Sequence, residues 1–248
     1  MIRICFLSLA LLGTTLALGQ DLHVLVFSKT AAYRHSSIEA GVSQLREVGE
    51  AHELRIDHTE DSTFFRGAAL EPYDVIVFLS TTGNVLDSAG EAAFERFIRA
   101  GGGFVGIHAA ADTEYDWPFY RELVGRQFVQ HPEHQSGRIH TMDGGFPAAT
   151  AGFGDSLTLY EEWYEYTVPY AVDLNYIMRV DTSTYATGAW LGKDRMGVFH
   201  PLAWYHEVAG GRAFYTGLGH MEETFRLPAF QQHLLAGIRW AATGKKSW

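Results

Sequence analysis

Two unbroken apolar runs, "HVLVFSK" (23–29) and "DVIVFLS" (74–80), read as strands buried on both faces, as parallel strands are. Between them "SSIEAGVSQLREVGE" has helical periodicity, with Ile38, Val42, Leu45 and Val48 on one face and Ser36 and Glu39 at capping-box spacing. "ELRIDHT" then reads as another strand. "SAGEAAFERFIRAG" repeats the capping box with Ser88 and Glu91 and stops at Gly101, ahead of the strand "GFVGIH". Strands and helices alternating at such short intervals predict an α/β fold, with a parallel sheet and helices on both faces. Beyond residue 126 the pattern shortens, and "RIHTMD", "EWYEYTV", "NYIMRVD" and "LAWYHEV" predict antiparallel strands. "GGRAFYTGLGH" follows a tight turn at Gly210–Gly211 and reads as a core strand, and "PAFQQHLLAGIRWAA" as a closing helix with Pro228 in its first turn.

Residues 1–19 have the form of a signal peptide: Arg3, an apolar stretch and a small-residue "ALG" end. The expectation is an exported protein, periplasmic or extracellular, with residues 20–248 as one domain and no membrane association beyond export. The single cysteine, Cys5, falls in that leader, so the mature chain has no disulfide, thiolate metal site or cysteine nucleophile. A net charge of −10 without a Lys/Arg cluster argues against nucleic acid and anionic lipid as partners, and suits a neutral small molecule better. Assembly into a homo-oligomer stays open at this point.

In open α/β sheets ligands bind beyond the carboxyl ends of the strands. Those ends carry His35, Asn84, His108, Asp112 and His220, in "KTAAYRHSS", "STTGNVLD", "GIHAAADTEYDW" and "GLGHMEE". Each histidine alone reads as a cap or a loop bond; three delivered to one edge read as a shared site. Tyr115, Trp117 and Tyr120 suit stacking on sugar rings and suit core packing equally. His131 and His134, separated by "PE", read as loop histidines and form a weak metal pair. "YEEWYEYT" (160–167) alternates at period two, with Tyr160, Glu162 and Tyr164 on one face and Glu161, Trp163 and Glu165 on the other. Glu162 among aromatics is either an acid or base of raised pKa or a solvated edge-strand residue. Because Glu161 and Glu162 face opposite sides, they cannot be the flanking pair of a conventional glycosidase.

The stretches "GGGFVGIHAAADTEYDWPFYRELVG", "EEWYEY", "HPLAWYHEVAGGRAFYTGLGH" and "HLLAGIRWA" resemble the ThuA-like, or trehalose-utilisation, family over essentially the whole mature chain. That resemblance implies a flavodoxin-like three-layer sandwich, similar to class I glutamine amidotransferases. It puts His108 at the turn where an amidotransferase keeps its cysteine, so glutaminase chemistry is excluded here. It also implies carbohydrate catabolism, from trehalose to keto-sugars. The residues matching the family's motifs are Arg34, His35, His108, Asp112, Trp117, Tyr120, His131, Glu162, Tyr164, His200 and His220. Of these, His108, His220, Glu162 and Asp112 are candidate catalytic groups. Arg34, His35, Trp117, Tyr120, Tyr164 and His200 are candidates for substrate binding, and His108, His131 and His220 for a divalent metal such as zinc. Two departures stand out: Phe146–Pro147 where the family pattern has His-Pro, and Thr182 in place of an acid.

The functional expectation is an enzyme acting on a sugar or 3-keto-sugar by histidine acid/base or metal-assisted chemistry. The rival is a non-catalytic carbohydrate-binding module.

Overall fold

In the computed structural model of the chain, residues 21–143, 145–171, 173–187 and 196–247 are described. The leader read in residues 1–19 lies outside them. Strands β1 (Leu22–Phe27), β2 (Leu54–Thr59), β3 (Val75–Leu79), β4 (Gly103–Ile107) and β11 (Gly211–Thr216) run parallel in the order β2-β1-β3-β4-β11. This is the flavodoxin-like order, with its switch point between β1 and β3. Antiparallel strands extend the sheet past β11 to nine: β10 (His200–Val208), β9 (Asn175–Val180), β6 (Gln135–Thr141) and β7 (Ser156–Glu161). A separate ribbon pairs β5 (Phe128–Gln130) with β8 (Glu165–Tyr166).

The period-two alternation of each central strand feeds two cores. Val24, Val26, Val75 and Val77 face α1 (Ile38–Ala51) and α6 (Pro228–Thr243), where Leu45, Leu234 and Ile238 are fully buried. Leu25, Phe27, Ile76 and Phe78 face α2 (Ser88–Arg99) and α3 (Pro118–Val124), through Phe94, Tyr120 and Leu123. The mostly parallel three-layer sandwich is therefore present. Gly103 marks a close approach of layers, since a Cβ there would sit 2.7 Å from the backbone of Ala241.

Local signals are displaced in four places. Neither predicted capping box forms: α1 begins at Ile38, and Ser37 sends its hydroxyl to the Gly219 carbonyl instead of capping. For α2 the cap is Asp87, whose carboxylate accepts from the amides of Ala89 and Gly90 and also places negative charge at the helix start. The hairpin turn lies one residue earlier than the glycine pair suggested. Ala209 and Gly210 both have positive φ (53° and 97°), as a type I′ turn requires, and Gly211 already pairs in the ladder. Finally, "EWYEYTV" is not one strand. β7 stops at Glu161 and β8 resumes at Glu165, so Glu162 leaves the ladder.

Two core histidines link the fold to pH. His233 of α6 donates Nδ1–H to the Ala149 carbonyl, its Nε2 has no partner among the described residues, and burial lowers its pKa to about 4. His206 of β10 is likewise lowered to about 4, chiefly by burial, although it donates to the Glu122 carbonyl. A histidine whose pKa is lower folded than unfolded binds fewer protons when folded. Stability is therefore undiminished above the unfolded value of 6.5 and falls as pH drops from there to about 4. Each ring contributes roughly 3 kcal/mol to that loss. Urea titrations at about pH 7 and pH 4.5 should show a smaller pH-dependent loss in His233→Asn than in the parent chain; equal losses would remove His233 from this account.

Candidate active site

Five imidazoles converge on one carboxylate. The loop after β1 supplies His35, the turn ending β4 supplies His108, and the loop after β11 supplies His220. All three reach the same edge, beyond the carboxyl ends of parallel strands. The segment between β5 and β6 adds His131 and His134, and Glu162 projects among them from the break after β7. Its Oε2 lies 3.1 Å from His108 Nε2, 3.0 Å from His220 Nδ1 and 3.9 Å from His35 Nε2. Its Oε1 lies 3.0 Å from both His131 Nε2 and His134 Nε2.

The backbone prepares this arrangement. His108 sits at φ +50°, left-handed geometry that a non-glycine residue adopts only where its surroundings enforce it. Tyr215 donates to the His108 carbonyl at 2.8 Å, and the ring's Nδ1 bonds the Gly217 carbonyl at 3.0 Å. A carbonyl only accepts, so the proton resides on Nδ1 and Nε2 is directed at the site. Tyr164 lies against the His108 ring, with centroids 4.3 Å apart. His131 repeats the device, with Nδ1 on the Pro132 carbonyl at 2.8 Å.

The electrostatics reverse one expectation. Burial pushes the pKa of Glu162 up, but the imidazoles of His108, His131, His220 and His35 gathered on its two oxygens outweigh it, and the carboxyl is held far below the ordinary range. Glu162 is thus a fixed anion rather than a base of raised pKa. The raised carboxyl is its neighbour Glu161, pushed up to about 7 by burial despite bonds from Thr224 and Gly219. Burial likewise lowers His108 to about 4 against the pull of Glu162. Asp112 is raised, chiefly by burial; it accepts from the Tyr115 hydroxyl at 2.7 Å and lies within electrostatic reach of His35 and Glu162.

Of the sequence candidates, His35, His108, His131, Glu162 and His220 come together, with Tyr164 and Asp112 beside them. Four others do not join the cluster. His200 donates to the Tyr164 carbonyl at 2.7 Å and takes a bond from the Tyr185 hydroxyl, so it supports Tyr164 from beneath. Tyr120 is fully buried and donates to the Ala110 carbonyl. Trp117 packs on Phe94, Phe119 and Tyr120 rather than facing a ligand. Arg34 pairs with Glu39 and Glu60 at the surface. Phe146 lies in the core against Tyr205, Phe214 and Trp240, and Thr182 sits in the turn built on Asp181. In the sequence His134 reads only as half of a weak metal pair, and Glu161 only as an acid facing away from Glu162. Spacing of three residues across Pro132 does not suit a helix, whereas the "HPEH" segment presents both rings without one.

The sequence model of the ThuA family, described as trehalose utilisation, matches residues 23–241. The chain belongs to the ThuA family. That description gives the chain a carbohydrate-related setting. Its fold is similar to that of a ThuA-like protein from Bacteroides uniformis (TM-score 0.75, 22% identity, covering 89% of this chain and 91% of that one). A ThuA-like protein from Parabacteroides merdae is comparably similar (0.73, 19%, 91% of each chain). A cold-adapted β-galactosidase from Rahnella sp. R3 shares the fold over 31% of its own length (TM-score 0.55, 14% identity, 88% of this chain). No curated protein matches the sequence.

The donor chemistry of the ThuA site fits a divalent cation. Three imidazole nitrogens and a carboxylate oxygen are a zinc-type set. His108 Nε2 and His220 Nδ1 lie 3.2 Å apart, close to the roughly 3.3 Å edge of a tetrahedron with bonds of about 2.0–2.1 Å. The Nδ1–carbonyl bond of His108 is the outer support that metal-binding histidines carry.

Proposed function

We propose that this ThuA-family protein is an enzyme acting on a 3-keto-sugar glycoside, with Asp112 as general base beside a divalent cation such as zinc. His35, His108, His220 and Glu162 would hold that cation. The observation that carries this reading is the convergence of five imidazoles on one buried, permanently ionised carboxylate at the strand ends. A binding module needs no such array, and the aromatics best suited to stacking, Trp117 and Tyr120, are spent on the core.

The ketone at C3 acidifies the hydrogen on C2. Asp112, raised in pKa and incompletely buried, takes that proton. The pair left on C2 becomes the C1=C2 double bond as the C1–O bond breaks and its electrons leave with the aglycone oxygen. That oxygen is protonated, the proton held by Asp112 being available to it. Water then adds across the double bond, hydroxyl to C1 and hydrogen to C2, giving the free keto-sugar. A divalent cation bound here supplies a Lewis acid for the carbonyl oxygen as negative charge develops on it. His108, wholly buried, cannot touch substrate; access is from the side of His131 and His134, whose side chains are 24% and 36% exposed.

We also propose export, residues 1–19 serving as a cleaved leader; the secreted protein should then begin at Gln20 on N-terminal sequencing. The catalytic proposal is tested by incubating the full mature chain with a p-nitrophenyl 3-keto-glucoside in deuterated water. Nitrophenol release with deuterium at C2 is expected, and the unoxidised glucoside should be inert. Tight sugar binding with neither release nor exchange would replace the enzyme by a binding module.

A further inference from the structure

We infer that Glu162 is a bridging carboxylate between two divalent cations, the second held by Oε1 with His131 and His134. This rests on the metal reading above and extends it. The two carboxylate oxygens are divided without overlap. Oε2 serves His35, His108 and His220; Oε1 serves His131 and His134, each at 3.0 Å.

The tautomers supply the second argument. His108 and His131 each commit Nδ1 to a backbone carbonyl, at 3.0 Å on Gly217 and 2.8 Å on Pro132. In the neutral rings Nε2 therefore presents a lone pair to a carboxylate oxygen, 3.1 Å away at His108 and 3.0 Å away at His131. Two acceptors held face to face repel unless a second ring proton or a cation lies between them, and this happens once on each side of Glu162. His35 adds a third observation. Its ring is 3% exposed, its Nδ1 has no hydrogen-bond partner among the described residues, and its Nε2 is aimed at the same carboxylate.

The two positions differ in a way that suits catalysis. The inner one has four protein donors, three from buried residues. The outer one has three donors, two of them on part-exposed rings, and so keeps coordination positions open toward solvent. Cations sharing one carboxylate lie roughly 3.5–4 Å apart, the span over which a hydroxyketone can present adjacent oxygens to both.

The mature chain, stripped with chelator and reloaded with Mn²⁺ alone, should bind two ions and give an exchange-coupled electron paramagnetic resonance spectrum. In His131→Ala/His134→Ala the content should fall to one ion with an uncoupled spectrum. Both side chains are part-exposed, and an unchanged thermal melt would confirm that the variant folds. One ion per chain that survives this double substitution would overturn the bridge, as would binding of none because His131 is simply protonated against Glu162. Two coupled ions without keto-glycoside cleavage would leave the bridge standing and remove the proposed substrate. Cleavage with a single ion would do the reverse.

Discussion

Replacing His108 and His220 together with alanine is expected to empty the inner cation position and to lower turnover about a thousandfold or more. Their nitrogens lie 3.2 Å apart, and both lie within 3.1 Å of Glu162 Oε2, so the variant removes half of one donor set. A bound cation contributes several kcal/mol to stabilising developing negative charge, and each 1.36 kcal/mol is about tenfold in rate. His108 has no exposed surface, so its share cannot come from touching substrate. Metal content by inductively coupled plasma mass spectrometry, read beside turnover, is the check. Retention of both in the double variant would show that neither imidazole is a ligand.

Asp112→Asn should cost about 10²–10⁴-fold in turnover while leaving metal content and substrate binding nearly unchanged. The amide keeps the shape and can still accept from Tyr115, but it cannot take a proton. The same assignment fixes the sign of the acid limb of the rate profile. A base must be deprotonated to act, so activity falls as pH drops through its pKa. Burial sets that limb above the ordinary aspartate value of 3.8. A profile whose acid limb is the same in Asp112→Asn as in the parent would dismiss Asp112 as the base.

The central strands were legible because burial on both faces leaves no polar positions: every residue of β3 and β4 is buried. The helical faces were legible for the complementary reason, Leu45 and Val48 recurring where α1 meets the sheet. What failed was local and lay beside the site. Ser36 and Glu39 had the spacing of a capping box, but Glu39 is drawn to Arg34 and Ser37 to the Gly219 carbonyl. "YEEWYEYT" alternated as a strand, yet turning Glu162 toward the histidines requires leaving the ladder, a demand set by residues distant in sequence. The gathering of His35, His108 and His220 followed from strand-end topology alone. The place of His131 and His134 did not, since a loop's reach has no period to read. Motif likeness, for its part, does not separate residues gathered in one cluster from those outside it; Arg34, Trp117, Tyr120 and His200 carry the motifs and make their contacts away from the five imidazoles.

The left-handed backbone at His108 has a consequence for anyone redesigning this chain. In that conformation a side chain costs about 1–2 kcal/mol that glycine does not, so a search for stability alone would favour glycine at 108. The substitution would suit the main chain and delete the deepest donor of the cluster. Thermostabilised variants chosen without an assay for the site would therefore be at risk of losing it first at the position where folding and chemistry ask for different residues.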